Sequence, residues 1–247
     1  LRKWRDGLLS ADEEESTLLE CLRPYQREGA QWMSRLLNHG CHCLLADEMG
    51  LGKTVQVISL IKEALASGKK ALIVCPASVV PVWVSEFEKF VPELKAKRYS
   101  GGPIAKEGDD WHALVTSFAL MRNRISRIEA SEFEFAIVDE AQFVKNPDAK
   151  VTRACMKIKA RKRIALTGTP IENKPLDIWP TFQFLMTGLL GKRSLFEKRL
   201  LENPVSFKAR LKAQIAPFML RRTKSQVAHD LPEKIIIDQH CPVTPRQ

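Results

Sequence analysis

No stretch of the 247 residues strings together the roughly 18 apolar side chains that a membrane-spanning helix needs, and the N-terminus carries no signal-peptide pattern. A membrane is therefore not expected among the partners. Cysteine is sparse, and the six present have no disulfide-like spacing, as expected of a chain kept in a reducing compartment. Internal repeats and low-complexity segments are also missing, which argues against a repeat array. The expected setting is the cytoplasm (the nucleoid) of a prokaryote or the nucleus of a eukaryote. The chain starts at Leu1 rather than Met and stops at Gln247 in polar sequence, as expected of a segment of a longer polypeptide.

Acidic residues are outnumbered, 29 against 39 Lys and Arg, and the resulting charge of +10 suggests a polyanionic partner. Most of the excess is local: Gly191 to Lys224 holds ten Lys or Arg and two Glu, whereas Asp12 to Glu15 is a short acidic run of the kind found on a solvated face or helix start. With 45% hydrophobic and 28% charged residues the chain is expected to bury a substantial core in one large or two small domains. The single metal-like cluster is His39, Cys41, His42 and Cys43. On a strand, alternate residues face opposite ways, so His42 diverges from its Cys neighbours, and the simpler reading is a buried strand.

That strand leads into Ala46-Asp47-Glu48-Met49-Gly50-Leu51-Gly52-Lys53-Thr54. Cys41 to Ala46 is an apolar run, and Val55, Ile58, Ile61 and Leu65 recur at helical spacing until Gly68. A loop between strand and helix gathers backbone N–H groups and the helix dipole around an anion. Gly50 and Gly52 let the backbone approach phosphates, Lys53 reaches the β and γ phosphates, and the Thr54 hydroxyl is a magnesium ligand. The general phosphate-loop pattern wants Gly six residues before Lys53, where Asp47 stands.

A second anchor is Phe135-Ala136-Ile137-Val138-Asp139-Glu140-Ala141-Gln142, an apolar strand that delivers two carboxylates at its C-terminal end. Asp139 is expected to hold magnesium and Glu140 to act as general base on the attacking water. Ile164 to Leu166 is a further strand, and the following Thr167-Gly168-Thr169 is suited to contacting the γ phosphate or the Asp-Glu pair. Upstream, Leu18 to Leu37 reads as helical with a break at Pro24, and Gln26 offers an amide able to read an adenine edge. Ala71 to Cys75, Lys95 to Tyr99 and Ala113 to Thr116 read as strands. Val82 to Val91 reads as a helix whose Trp83, Phe87 and Phe90 suit a core better than a base-stacking platform. Leu176, Trp179, Phe182 and Met186 are expected core, and Phe207 to Ile215 a basic amphipathic helix. Arg221, Arg222 and Lys224 could meet phosphates or simply face solvent. Gly188 to Pro204 supports no firm assignment.

Taken in order, Leu22-Arg23-Pro24-Tyr25-Gln26, Asp47 to Thr54, Asp139 to Gln142, Leu166 to Asn173 and Pro217 to Lys224 resemble the first ATPase lobe of Swi/Snf-type DNA translocases among the superfamily-two helicases, over roughly Leu22 to Lys234. The resemblance implies an α/β, RecA-like P-loop NTPase domain with a mostly parallel sheet flanked by helices, using ATP and Mg2+. It implies a lobe over 18–187, an N-terminal extension over 1–17, a helical protrusion and linker over 188–230, and over 231–247 the start of a connection to a second lobe. It places Gln26, Asp47, Gly50, Leu51, Gly52, Lys53 and Thr54 on the nucleotide, and Gln142, Thr167, Gly168 and Thr169 in coupling. Gln142 stands where the family usually has His. Pro76, Ser78, Thr116, Ser117, Lys145 and Asn146 fall in segments expected to contact nucleic acid. The implied partners are double-stranded DNA, the second lobe of the same polypeptide and proteins on the DNA. An RNA helicase lobe and a non-hydrolysing, nucleotide-gated scaffold stand as alternatives.

Overall fold

A computed structural model describes residues 18–104, 110–169 and 175–227. Seven strands form one sheet: β1 (Cys43–Leu45), β2 (Ala71–Cys75), β3 (Ala96–Arg98), β4 (Ala113–Ser117), β5 (Glu132–Val138), β6 (Lys159–Leu166) and β7 (Met219–Leu220). Their order is β3-β4-β2-β5-β6-β1-β7, and every pairing is parallel. Parallel strands need helical crossovers, which cover both faces and leave the strands apolar throughout. β1 and β2 are accordingly buried at every position.

Helices α1 (Pro24–Asn38), α2 (Lys53–Ala66) and α3 (Val80–Phe90) pack on one another. A second group comprises α4 (Phe118–Asn123), α6 (Lys150–Met156) and α7 (Ile178–Leu185), with the short α5 (Ile125–Glu129) beside α4. Trp83, Phe87, Phe182 and Phe184 are among the largest fully buried side chains, so the expected core residues Trp83, Phe87 and Phe182 are core. None of the described helices is long and apolar enough to cross a membrane.

The first helix starts at Pro24, not Leu18. Pro suits the first helical position because it has no N–H to lose, and the Arg23 N–H donates to Gln26 Oε1 at 2.9 Å. β5 and β6 extend well before their apolar segments. Their outer halves, Glu132 to Phe135 and Lys159 to Arg163, carry charges that pair across the ladder or lie over rings: Lys162 sits 3.7 Å from Glu134 and over the Phe135 ring. Arg163 donates to the carbonyls of Phe184 and Ile158. Gly188 to Pro204 contains the whole of α8 (Arg193–Glu202), which packs on α9 (Pro204–Ile215) through an edge-to-face contact of Phe196 and Phe207. The last described helix is the short α10 (Lys224–Val227).

β7 lies beside β1, so the residues expected to lead out of the lobe first complete its sheet. The metal-like cluster resolves as structure: His42 Nδ1 accepts the Arg163 N–H at 3.1 Å, and Cys43 is buried in β1.

Candidate functional site

The order β5-β6-β1-β7 decides what meets at the C-terminal edge of the sheet. The loop after β1 carries Asp47 to Gly52, β5 ends at Asp139-Glu140, β6 ends at Thr167-Gly168-Thr169, and β7 leads into Arg222. Open α/β sheets bind ligands at this edge.

Gly50 and Gly52 have φ of 87° and 73°, a backbone region that side chains disfavour, and Gly52 directly precedes α2. A Cβ at Gly52 would lie 2.4 Å from Gln26 Nε2, so the glycine also makes room for Gln26. Gln26 Nε2 and the Tyr25 hydroxyl both donate to the Leu51 carbonyl at 3.2 Å, bringing the start of α1 onto the loop. Lys53 Nζ donates to the carbonyls of Asp47 at 2.8 Å and Glu48 at 3.5 Å. Burial pushes its pKa below the usual lysine value, against the opposing pull of the Glu140, Asp139 and Asp47 carboxylates. Thr54 is half-buried in the first turn of α2.

Asp139 is buried, and burial raises its pKa above the usual carboxylate range, opposed by the hydrogen bond it accepts from the Trp83 indole. Trp83 Nε1 donates to Oδ2 and the Glu140 N–H to Oδ1, each at 2.9 Å. Glu140 is the single non-glycine residue of positive φ among those described, at 52°. Such backbone conformations concentrate at functional sites. Its carboxylate accepts from Gln142 Nε2 at 2.7 Å, and Gln142 Oε1 accepts from the Thr167 hydroxyl at 2.8 Å. Thr167 Oγ1 in turn accepts from the Thr169 N–H at 3.1 Å. Glu140, Gln142, Thr167 and Thr169 therefore form one hydrogen-bonded chain. An amide donates and accepts at once, which is what a bridge between a carboxylate and a hydroxyl requires. Gly168 closes against the loop, where a Cβ would lie 2.8 Å from Met49 Cγ.

The Asp47 side chain is held inside the protein. Its carboxylate is fully buried and accepts from Arg222 Nε at 3.0 Å and Nη2 at 2.6 Å, and from Gln56 Nε2 at 3.3 Å. Arg222, left open as a phosphate contact or a solvated residue, is mostly buried in this pair. The nucleic-acid candidates divide into two places. Pro76 and Ser78 follow β2, Thr116 and Ser117 end the adjacent β4, and Thr116 and Ser117 line a cleft of about 340 Å³ with Arg98, Tyr99 and Ser100. Thr116 Oγ1 is buried there without a hydrogen-bond partner, whereas Ser117 Oγ accepts from the Leu120 N–H and caps α4. Lys145 and Asn146 lie apart, and Lys145 lines a narrow crevice with Gln142, Thr167 and Thr169. Pro170 to Asn173 lie outside the described residues, as do the acidic run Asp12 to Glu15 and the segments 1–17 and 231–247.

Residues missed from the sequence are Trp83 as a donor to Asp139, Gln56 as a partner of Asp47, and Glu48, which accepts the Lys224 N–H at 2.8 Å. Trp83 and Asp139, and Glu48 and Lys224, are far apart in the chain, while Gln56 lies nine residues from Asp47 across the start of α2; no local pattern announces any of the three.

The profile of the SNF2-related domain matches residues 25–247. The chain belongs to this family. The SNF2 assignment agrees with solved structures: the SWI2/SNF2 ATPase core of Sulfolobus solfataricus in complex with dsDNA is 38% identical, with a TM-score of 0.81 over 95% of this chain and 52% of that one. The sheet is thus the RecA-like sheet of an SNF2 ATPase core, and the chain corresponds to its N-terminal lobe. Among curated relatives, the TATA-binding protein-associated factor MOT1 of Saccharomyces cerevisiae is 34% identical over 89% of this chain and 14% of its own length. An uncharacterized ATP-dependent helicase of Mycoplasma genitalium is 41% identical over 88% and 22%. The SNF2 chain thus spans about half of the solved core and less than a quarter of these curated relatives.

Proposed function

We propose that this SNF2 chain is the nucleotide-holding lobe of an ATP-driven motor that translocates on double-stranded DNA and remodels protein-DNA complexes. The observation that carries the proposal is the hydrogen-bonded chain from Glu140 through Gln142 to Thr167 and Thr169, at the edge where the glycine loop and Asp139 also emerge. It joins the proposed general base to the Thr-Gly-Thr segment that follows a neighbouring strand, which is what a motor needs and a static binder does not. The dsDNA bound to the solved core and the TATA-binding protein association of MOT1, both properties of those proteins, support the choice of substrate.

The residues present fit ATP with magnesium. The loop offers left-handed glycines before a helix N-terminus, where backbone N–H groups favour a polyphosphate. Among the described residues no cluster of three or more His, Cys, Asp or Glu could hold an ion. Thr54 and Asp139 supply one hydroxyl and one carboxylate, suited to magnesium, which usually keeps water and phosphate as its remaining ligands. Bound Mg-ATP supplies an activated phosphoryl group. Lys53 neutralises charge on the phosphates, Thr54 and Asp139 hold the ion, and Glu140 accepts the proton of the attacking water. Gln142 reports the state of Glu140 to Thr167 and Thr169. Pro76, Ser78, Thr116, Ser117, Lys145 and Asn146 track the DNA backbone.

An arginine supplied from elsewhere is worth about 10³ to 10⁵ in rate at such sites, so this lobe alone binds nucleotide but hydrolyses it slowly. In the parent polypeptide, Lys53→Ala and Glu140→Gln are expected to abolish DNA-stimulated turnover, and unchanged turnover in either removes the assigned roles. Stronger stimulation by single-stranded RNA than by duplex DNA would favour an RNA helicase instead.

A further inference from the structure

Two observations around Asp47 are not needed for phosphate binding. The segment after β7 runs along the nucleotide loop: Ala46 N–H donates to the Leu220 carbonyl at 2.7 Å, Glu48 N–H to the Arg222 carbonyl at 2.9 Å, and Lys224 N–H to Glu48 Oε2 at 2.8 Å. At its centre Arg222, 175 residues from Asp47, grips the loop's first side chain with two parallel bonds from Nε and Nη2, supplemented by its own backbone N–H at 3.1 Å. The two side chains are 11% and 0% exposed. A bidentate pair of this kind fixes orientation as well as distance.

Arg222 also binds the elements that hold the rest of the loop. Nη1 donates to the Tyr25 carbonyl, the guanidinium lies 5.3 Å from the Tyr25 ring, and Nη2 donates to Gln56 Oε1 at 3.0 Å. Tyr25 in turn donates to the Leu51 carbonyl, and Gln56 Nε2 lies 3.4 Å from the Gly52 carbonyl. Space for this arrangement is kept within α1 by Gly29, where a Cβ would sit 2.6 Å from Arg222 Nη2 and 2.1 Å from Gln56 Oε1. Glycine inside a helix is destabilising relative to alanine, so Gly29 marks a packing demand at the Arg222 cluster. The Asp47 carbonyl also accepts from Lys53 Nζ, so the residue that Arg222 clamps helps to place the phosphate-binding lysine.

We propose that Arg222 is a positioning residue of the nucleotide site: its clamp on Asp47 makes the segment leaving the sheet after β7 and the phosphate loop a single mechanical unit. Displacement of that segment then alters the loop's grip on phosphate, and bound nucleotide restrains the segment. The inference rests on the nucleotide reading of the loop.

The test uses the 247-residue chain and N-methylanthraniloyl-ADP with magnesium, read by fluorescence, below the onset of melting. Arg222→Lys keeps the charge but loses the fork, and Asp47→Asn keeps the shape but loses the charge. Each is expected to retain a cooperative melt and to bind about tenfold more weakly, with the double variant no weaker than the worse single. Folded variants that bind like the wild type overturn the proposal. Loss of folding in both variants without nucleotide assigns the pair to the fold alone and overturns it as well. A wild-type chain that binds no nucleotide contradicts the reading of the loop itself, and is thereby distinguished from failure of the clamp.

Discussion

Trp83 is fully buried on α3, and its indole N–H donates to the carboxylate of Asp139, 56 residues away. A hydrogen bond to a charged group contributes about 1.5 to 3 kcal/mol. Trp83→Phe, which keeps a ring in the core, is expected to lower stability by about 1.5 to 3 kcal/mol in urea denaturation. It is also expected to raise the magnesium concentration that half-saturates nucleotide binding several-fold, because Asp139 loses the donor that favours its ionised form. Gln142→Leu tests the neighbouring bridge: nucleotide affinity should stay within about twofold while DNA-stimulated turnover falls at least tenfold, since the Glu140 to Thr167 connection is cut. Lys53, Asp139 and Glu140 could be singled out in the sequence because phosphate and magnesium chemistry restricts residue types at fixed spacing. Trp83 read as core, which it is, but its donor role depended on where α3 packs. Asp47 was visible as an oddity in the loop, and its partner was not, because Arg222 lies 175 residues on in a segment of scattered charge.

At the scale of elements, apolar strands of the central sheet were legible because burial on both faces forces continuous runs, as in Ala71 to Cys75. The outer half of β6 was not, since Lys159, Arg161, Lys162 and Arg163 give no apolar signal and are accommodated by cross-strand pairing and by carbonyl contacts. β7 was hidden for another reason: two residues pair only because β1 offers them an edge. The β1–β6 pairing carries a titratable group, His42, whose pKa burial and the Arg163 charge lower to about 4. The unfolded chain protonates His42 below about 6.5 and the folded chain only below about 4, so the unfolded state binds more protons in that window. Stability should therefore fall as pH falls from about 6.5 to 4. Urea midpoints at pH 7 and pH 5 should differ less in His42→Asn than in the wild type, because Asn binds no proton and still offers an oxygen to the Arg163 N–H.

For the whole molecule, the decisive fact is convergence: one sheet edge collects the glycine loop, the two carboxylates and the Thr-Gly-Thr segment, while the adjacent cleft beside β4 leaves the Thr116 hydroxyl buried and unpartnered. Sequence order predicted the members of this edge but not their neighbourhood, which follows from β1 lying beside β6, and β6 beside β5, although β1 is far from both in the chain. With a net charge of +10, duplex binding by the parent polypeptide should weaken linearly in log affinity against log salt, as counterion release demands. A flat salt response would mean that phosphates are not the contact. The most direct test of the account is steady-state ATP turnover by the parent polypeptide with and without duplex DNA, beside Glu140→Gln. Turnover is expected to rise with duplex DNA in the wild type and to stay at background in Glu140→Gln, which still binds nucleotide. Turnover indifferent to duplex DNA, or surviving in Glu140→Gln, would contradict it.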